Sequence, residues 1–252
     1  MIHFARASFL LFSLLFAILI MPQKVFSKPP CNDGETADYI TKIDGKGKIT
    51  GWGAEVSARY KPVEWTQKIQ FTQDGLIWSR SEKHIGGGKE VTVAVIRGES
   101  QVRVLSWMST LFSPAGKQES RLDVDFTDPS LKFPEDMYPG LLFPFLLRGA
   151  DLESIGVVHE ARIWWGPKSV SKASWVVTGK EKITVPAGSF ECYVIEETVL
   201  IDGKGFVSYA LQRLMPKFYL YLTVEPPHYM VKFKQSNPGG DIQTDMLIRF
   251  TP

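Results

Sequence analysis

The stretch that decides the fold runs from Lys182 to Glu197 and reads KITVPAGSFECYVIEE. Its tetrapeptide VPAG ends one element, because proline cannot continue a ladder of backbone hydrogen bonds and glycine readily adopts turn conformations. A new strand pattern begins at Ser189 and places Phe190 and Cys192 on one face, since side chains alternate along a strand. The stretch therefore predicts a β-hairpin with a tight corner.

Alternation of apolar and polar residues also dominates the rest of the chain, as is typical of half-buried strands. It is clean in RLDVDF (Arg121–Phe126) and YMVKFK (Tyr229–Lys234), and in IQTDMLIRF (Ile242–Phe250) it puts the even-numbered residues on one face. Further predicted strands are Ile49–Tyr60, Trp65–Thr72, Gly75–His84, Glu90–Arg97, Gln101–Thr110, Gly156–Trp165, Ser171–Thr178, Lys182–Val185, Ser189–Ile201 and Gly205–Arg213.

Short turns rich in Gly and Asp-Gly separate these strands, so neighbouring strands should pair antiparallel. A long meander with one apolar face must be covered or curled to bury that face. We therefore expect a mainly β protein built on one curved antiparallel sheet, a half-barrel-like meander, with a single β-rich domain over residues 28–252.

One segment breaks the strand pattern: MYPGLLFPFLLRGADLESI (Met137–Ile155) is dense in Leu and Phe. Its apolar run is interrupted by Pro144 and is much shorter than the roughly 20 residues of a membrane-spanning helix. The segment is interpreted either as a short helical or irregular plug on the concave side of the sheet, or as the wall or lid of a ligand pocket. The candidate ligand-binding residues are Leu141, Leu142, Phe143, Phe145, Leu146 and Trp165.

Residues 1–27 have the layout of a secretory signal peptide. Arg6 precedes the uncharged apolar run Phe9–Met21, Pro22 follows it, and small residues precede a cut at Lys28. This predicts a periplasmic protein whose membrane contact is limited to the leader before cleavage. An uncleaved N-terminal anchor is the alternative.

The charge balance argues against two classes of partner. The chain holds 29 Lys and Arg against 27 Asp and Glu, and two of the cations, Arg6 and Lys24, belong to the leader. The remaining chain is formally neutral and has no basic stripe, which makes it a poor candidate for nucleic acid binding and for electrostatic docking to membranes.

No motif for catalysis or metal binding occurs. The sequence lacks G-x-S-x-G, H-E-x-x-H and C-x-x-C, and outside the leader it has His84, His159 and His228. The carboxylate pair Glu196 and Glu197 should point to opposite faces of its strand, so the two cannot act together. The sequence predicts a protein that is not an enzyme and has no metal site, no cofactor and no catalytic residue.

Cys31 and Cys192 could form a disulfide, since disulfides persist in exported proteins. Such a bond would tie the mature N-terminus to the sheet. The alternative for Cys192 is a small buried residue in the strand.

The stretch GKEKITVPAGSFECYVIE (Gly179–Glu196) resembles the signature of an exported bacterial family, domain of unknown function 3108, with its motif V-P-A-G-[ST]-F. The segment EPPHYMVKFKQ (Glu225–Gln235) resembles the strand near that family's C-terminus. The matching motif residues are Val185, Pro186, Ala187, Gly188 and Phe190. The resemblance implies a periplasmic, non-enzymatic protein with a fold similar to lipoprotein-localisation carriers, in which an incomplete barrel holds acyl chains. It carries over no catalytic residue.

These observations together favour a monomeric envelope protein that binds or carries a hydrophobic or amphipathic ligand, or a lipoprotein partner. The alternative is a structural or interaction module that binds a protein or glycan through sheet edges or exposed tryptophans.

Overall fold

The computed structural model describes residues 26–44, 49–51, 54–56, 62–98, 102–134, 137–166, 169–200, 215–236 and 242–252 of the chain. Its strands are β1 (Thr36–Asp44), β2 (Ile49–Gly51), β3 (Ala54–Val56), β4 (Val63–Phe71), β5 (Leu76–Ile85), β6 (Gly88–Gly98), β7 (Val102–Phe112), β8 (Gln118–Asp125), β9 (Met137–Pro139), β10 (Val158–Gly166), β11 (Ser169–Val185), β12 (Gly188–Leu200), β13 (Lys217–Thr223), β14 (Met230–Ser236) and β15 (Ile242–Thr251).

Over these residues, one curved sheet of 13 strands has the order β8-β7-β6-β5-β4-β1-β15-β14-β13-β12-β11-β10-β9. Its pairs are antiparallel except for β9 and β10, which run parallel. The pairing of β1 with β15 joins the two halves of the chain, and β8 and β9 are the edges of the sheet. The predicted curved, unclosed antiparallel sheet is confirmed.

The sequence prediction of strands was incomplete. It missed β1, β9 and β13, and it predicted one strand over Ile49–Tyr60 where the described residues form the paired strands β2 and β3. It also predicted separate strands at Ser171–Thr178 and Lys182–Val185, which belong to one strand, β11, with a bulge between Val177 and Gly179. A bulge absorbs the irregular residue and lets pairing continue. The predicted strands at 205–213 and at 57–60 lie outside the described residues.

The predicted plug is confirmed as a short, irregular helical segment. It consists of a 3-10 turn (Gly140–Leu142), the helix α1 (Phe143–Leu146) and a second 3-10 turn (Leu147–Gly149). Its side chains belong to the hydrophobic core together with inner-face residues of both halves of the sheet. The part of the chain that the structure describes contains no helix long and apolar enough to cross a membrane.

The N-terminal segment Phe26–Pro30 runs beside the plug, with Phe26 and Pro29 buried and Ser27 and Lys28 exposed. Phe26 is completely buried, Ser27 donates its backbone N–H to the Gly149 carbonyl at 2.9 Å, and Val102 donates to the Phe26 carbonyl at 3.3 Å. A side chain at Gly149 would meet the Ser27 carbonyl oxygen at 2.2 Å, so glycine permits this close backbone approach.

A buried ion pair between Arg148 of the plug and Glu35 connects the plug to the N-terminal part of the chain. Arg148 and Glu35 are 4% and 2% exposed, and their two N–H···O contacts measure 2.6 and 2.9 Å. The same guanidinium donates to the carbonyls of Pro30 and Pro227, each at 2.7 Å. The fork geometry of arginine suits this arrangement, which joins three separate segments.

Candidate ligand-binding site

A groove of about 1080 Å³ lies at the β8 edge of the sheet. The chain leaves β8 there and crosses towards β9, at the opposite edge. Phe126, in this connection, contacts Phe133 at a ring distance of 5.1 Å and Trp164 on β10 at 5.6 Å. Aromatic side chains therefore connect the β8 end of the sheet to β10 near the other end, and the described residues form no strand pairing between these two ends.

The groove reaches from the surface into the core. Its lining includes the buried side chains Val104, Trp107 and Met137. It also includes Trp78, which is 45% exposed, and its cross-strand partner Val95. An apolar group in the groove would be removed from water while the groove mouth stays open to solvent.

Charges of both signs surround the apolar lining. The lining contains the cations Arg80, Arg97 and Lys132 and the carboxylates Asp123 and Asp125. Arg80 is paired with Glu82 at 3.1 Å, and Asp125 accepts from Thr127, which lowers the pKa of that carboxyl. The mixture suits a polar head beside an apolar body and favours neither sign of charge.

Five of the six predicted ligand-binding residues lie in the plug and Trp165 lies on β10, and none of the six lines the groove. Leu142, Phe143, Phe145 and Leu146 are at most 3% exposed, whereas Leu141 is 64% exposed. The Trp165 ring covers Gly140 and its Nε1 donates to Ser171 at 2.7 Å. Ligand binding by these six residues stays a prediction. The sequence feature that could have indicated the groove is the pair Phe126 and Phe133, which flank the turn TDPS at residues 127–130.

A row of polar groups crosses the inner face on β10, β11 and β12. His159 pairs with Trp175, and Trp175 pairs with Glu197; the imidazole stacks on the indole at 4.2 Å. Within the described residues, His159 Nε2 and Trp175 Nε1 are buried without a hydrogen-bond partner. Burial lowers the pKa of His159, against the attraction of Asp151.

Glu196 and Glu197 face opposite ways, as the sequence predicts. Glu196 accepts from Lys217 at 3.2 Å on the surface, whereas Glu197 is 5% exposed. Burial raises the pKa of Glu197 to about 8, because a charged carboxylate is poorly solvated there. Glu197 is therefore largely protonated at neutral pH.

The two cysteines are free thiols, so the structure does not contain the predicted disulfide between Cys31 and Cys192. Cys31 lies near Arg148 and Glu35, and burial raises its thiol pKa to about 11. Cys192 is buried in β12, where desolvation raises its pKa to about 12. Neither is an activated nucleophile. In the described ranges, no three His, Cys, Asp or Glu residues form a group that could hold a metal ion.

The VPAGSF corner forms a contact across the sheet. The Ala187 N–H donates to the carbonyl of Leu247 on β15 at 3.2 Å, and Phe190 packs edge-on against Tyr229 at 5.8 Å. Gly188 has a positive φ of 135°, which favours glycine at the turn. The corner therefore has a structural role in this fold.

Comparisons with known proteins give remote structural similarities. A β-barrel-like protein of the domain of unknown function DUF1849 from Brucella abortus has a TM-score of 0.48 and 9% identity, covering 90% of this chain and 98% of its own. The lipoprotein LppX from Mycobacterium tuberculosis has a TM-score of 0.31 and 8% identity, covering 85% of each chain. At these TM-scores neither likeness supports a conclusion about function. No curated protein matches the sequence.

A family model gives a direct assignment. The DUF3108-like model matches residues 87–212, which is half of the 252-residue chain. The matched region begins at the turn before β6 and includes the plug, the VPAGSF corner and most of the groove. The chain belongs to the DUF3108-like family.

Proposed function

We propose that this protein binds an amphipathic molecule with an apolar chain in the bacterial envelope, as a non-catalytic carrier, after export to the periplasm. The observation that carries the proposal is the groove at the β8 edge, which is open to solvent and lined by core side chains such as Trp107 and Val104. The predicted leader of residues 1–27 supports the location.

The groove lining favours an amphipathic ligand over a fully polar one. Burying an acyl chain against aromatic and aliphatic side chains contributes roughly 25 cal/mol for each Å² of apolar surface removed from water. The charges at the mouth, including Arg97 and Asp123, keep the polar end of such a molecule solvated.

The test is lipid extraction and mass spectrometry of the exported, purified protein, together with titration of a fluorescent fatty-acid probe. We expect a co-purifying amphipathic molecule and saturable probe binding. If extraction yields no lipid and the probe does not bind, the carrier proposal is wrong.

A matched pair of variants locates the site. Val95→Glu places a carboxylate in the half-buried groove wall, and an apolar ligand would have to desolvate it, so we expect at least about a tenfold loss of probe affinity. Val158→Glu makes the same change at a residue that is 62% exposed and outside the groove, and its affinity should match the parent protein. If Val95→Glu and Val158→Glu bind the probe with equal affinity, the probe does not bind in the groove.

One observation favours the interaction-module alternative. Trp78 exposes a large aromatic surface beside Arg80 at the outer margin of the groove, and such a surface can stack on a sugar ring or anchor a protein. Crosslinking in the periplasm followed by isolation of one stable partner, lost in Trp78→Ala, would support this alternative.

A further inference from the structure

The Phe26 side chain fills an aromatic pocket inside the sheet. Its ring contacts Tyr138 and Phe143 edge-on at 5.0 and 5.6 Å, and it stacks on Trp175 at 6.1 Å with an interplanar angle of 14°. The pocket walls come from β9, the plug and β11, which are all distant from Phe26 in sequence. The chain thus fills this pocket with one of its own apolar groups.

Phe26 and Ser27 are the last residues of the predicted leader. A leader peptidase that hydrolyses the Ser27–Lys28 peptide bond uses one water, leaving a carboxylate on Ser27 and an amino group on Lys28. The residues that follow keep their own contacts: the Lys28 ammonium lies over the Phe71 ring at 5.1 Å, and Pro30 accepts from Arg148. Cleavage would therefore remove Phe26 while the adjoining segment stays in place.

Removal of Phe26 and Ser27 exposes a matched donor and acceptor. Val102 loses the acceptor of its backbone N–H, and the Gly149 carbonyl loses two donors, the N–H and the hydroxyl of Ser27. The Val102 N–H is fully buried and needs a new acceptor, which a ligand hydroxyl can supply. Because the C=O and N–H of the lost peptide point in opposite directions, a second hydroxyl of the ligand is needed to donate to the half-buried Gly149 carbonyl.

A second polar feature lies against the same pocket. Trp175 is 1% exposed and stacks on the Phe26 ring, and its Nε1 donor is unpartnered in the part of the chain described. Glu197 is the cross-strand partner of Trp175. A ligand oxygen near the indole would satisfy this donor, whereas a charged head would have to give up its hydration.

We infer that the space filled by Phe26 is the binding site for the apolar chain of an uncharged, hydroxyl-bearing amphipathic molecule, and that leader cleavage between Ser27 and Lys28 opens it. This inference rests on the proposed function and on the predicted cut. It adds an internal site to the groove, defines the head group, and makes the precursor unable to bind because its own Phe26 occupies the site.

The experiment compares two exported forms of the protein. One carries its natural leader, and intact-mass analysis should show Lys28 as its first residue. The other carries a leader whose cleavage site is moved so that the mature chain begins at Phe26. Each is titrated with a monoacylglycerol bearing a fluorescent acyl chain. We expect the form that begins at Lys28 to bind at least about tenfold more tightly, since Phe26 competes for the same space.

Three variants define the site. Phe26→Ala in the longer form should restore binding, whereas Phe190→Ala, which truncates a phenylalanine in a different aromatic cluster, should not. Trp175→Phe keeps an aromatic wall and removes the indole donor, and we expect a loss of affinity of about 2–10-fold. Circular dichroism and thermal unfolding verify that each variant is folded.

The outcomes separate this inference from the proposed function. A mature protein that begins at or before Phe26, or equal binding by both forms, overturns the inference and leaves the groove proposal standing. Failure of both forms to bind any lipid probe overturns the proposed function as well. Tighter binding of the corresponding fatty acid than of the monoacylglycerol would contradict the uncharged head group.

Discussion

Two neighbouring glutamates show how one residue of strand register changes the chemistry of a side chain. Glu196 forms a surface ion pair with Lys217, whereas Glu197 points into the core beside Trp175. Alternation along a strand is sufficient to predict that the two side chains diverge. It does not predict which of them is buried, because that depends on the face on which the plug packs.

Glu197 should make stability depend on pH. Its pKa is raised to about 8 in the folded protein from an ordinary value of 4.5, so the folded state holds a proton that the unfolded state releases between these values. The contribution of Glu197 to the free energy of unfolding should therefore be complete below pH 4.5 and be lost as the pH rises towards and through 8. Glu197→Gln cannot ionise, and relative to the parent it should gain on the order of 2–4 kcal/mol between pH 5 and pH 8, since each unit contributes about 1.4 kcal/mol.

Urea unfolding of both proteins at several pH values measures this difference. Glu196→Gln is the control, because it makes the same change at the adjacent exposed residue and should leave the pH profile nearly parallel to that of the parent. The buried Asp245 is present in every protein compared and cancels. A Glu197→Gln profile parallel to the parent would show that Glu197 ionises normally in the fold.

The sequence pattern did not predict correctly which residues of β15 are buried. Alternation in β15 put the even-numbered residues on one apolar face, but the most buried residues are Asp245 and Leu247. Met246 and Phe250 pack on the other side, where Phe250 stacks on Tyr229 at 3.9 Å. Both faces of this strand are covered, so a pattern that assumes one solvated face cannot assign them. Arg148 was a readable signal, as the one charge within FPFLLRGA.

Among the elements, the hairpin of β11 and β12 shows which part of the fold a local pattern can predict. The sequence indicated its corner at VPAG, and the structure has the turn there. The reach of the corner to Leu247 on β15 was not predictable, since it depends on the ends of β13 and β14, which stop short and leave room. Local patterns define hairpins, whereas contacts between distant elements require the assembled sheet.

The fit between the plug and the N-terminal segment gives a prediction at this scale. In Gly149→Ala the new methyl group would meet the Ser27 carbonyl oxygen at 2.2 Å, and backbone atoms on both sides would have to move. We expect a chain that retains Ser27 to lose about 1–3 kcal/mol of stability, as for other overpacked sites. Thermal and urea unfolding measure the loss.

The matched control is Gly179→Ala, because an added Cβ at this strand glycine meets nothing within 4 Å. That variant should be neutral or gain up to about 1 kcal/mol from the reduced freedom of the unfolded chain. A mature chain that begins at Lys28 lacks the Ser27 carbonyl and should lose less stability from Gly149→Ala, because the Pro29 nitrogen at 3.1 Å is then the close contact that remains. Equal destabilisation with and without Ser27 would show that the segment does not lie against Gly149.

For the whole molecule, the sequence predicted the curved sheet but not its edges. Strands β4 to β8 form a meander of neighbours, so their order follows from short turns. The contact between β1 and β15 joins residues near the two ends of the chain, and no local pattern indicates it. The groove belongs to this level, because it exists only where the β8 edge meets the connection to β9 and its aromatic bridge to β10.

The unpaired edge of β8 could pair with a second molecule, and charged side chains on this strand should prevent such association. Unpaired backbone groups on an edge strand can pair with another molecule, and charged side chains oppose this. On β8, Arg121 and Asp123 are exposed and bonded to each other, with an Nε–Oδ2 distance of 2.7 Å. We expect the parent protein to be a monomer and Arg121→Val/Asp123→Val to form dimers or larger species at micromolar concentration, as measured by analytical ultracentrifugation.

The matched control, Arg80→Val/Glu82→Val, removes a similar pair from β5, whose two edges are already paired. That control should stay monomeric, because its apolar surface has no free backbone edge beside it. Association of both double variants to the same extent would assign the effect to surface hydrophobicity, and a monomeric Arg121→Val/Asp123→Val protein would mean that the connection after β8 already shields the edge.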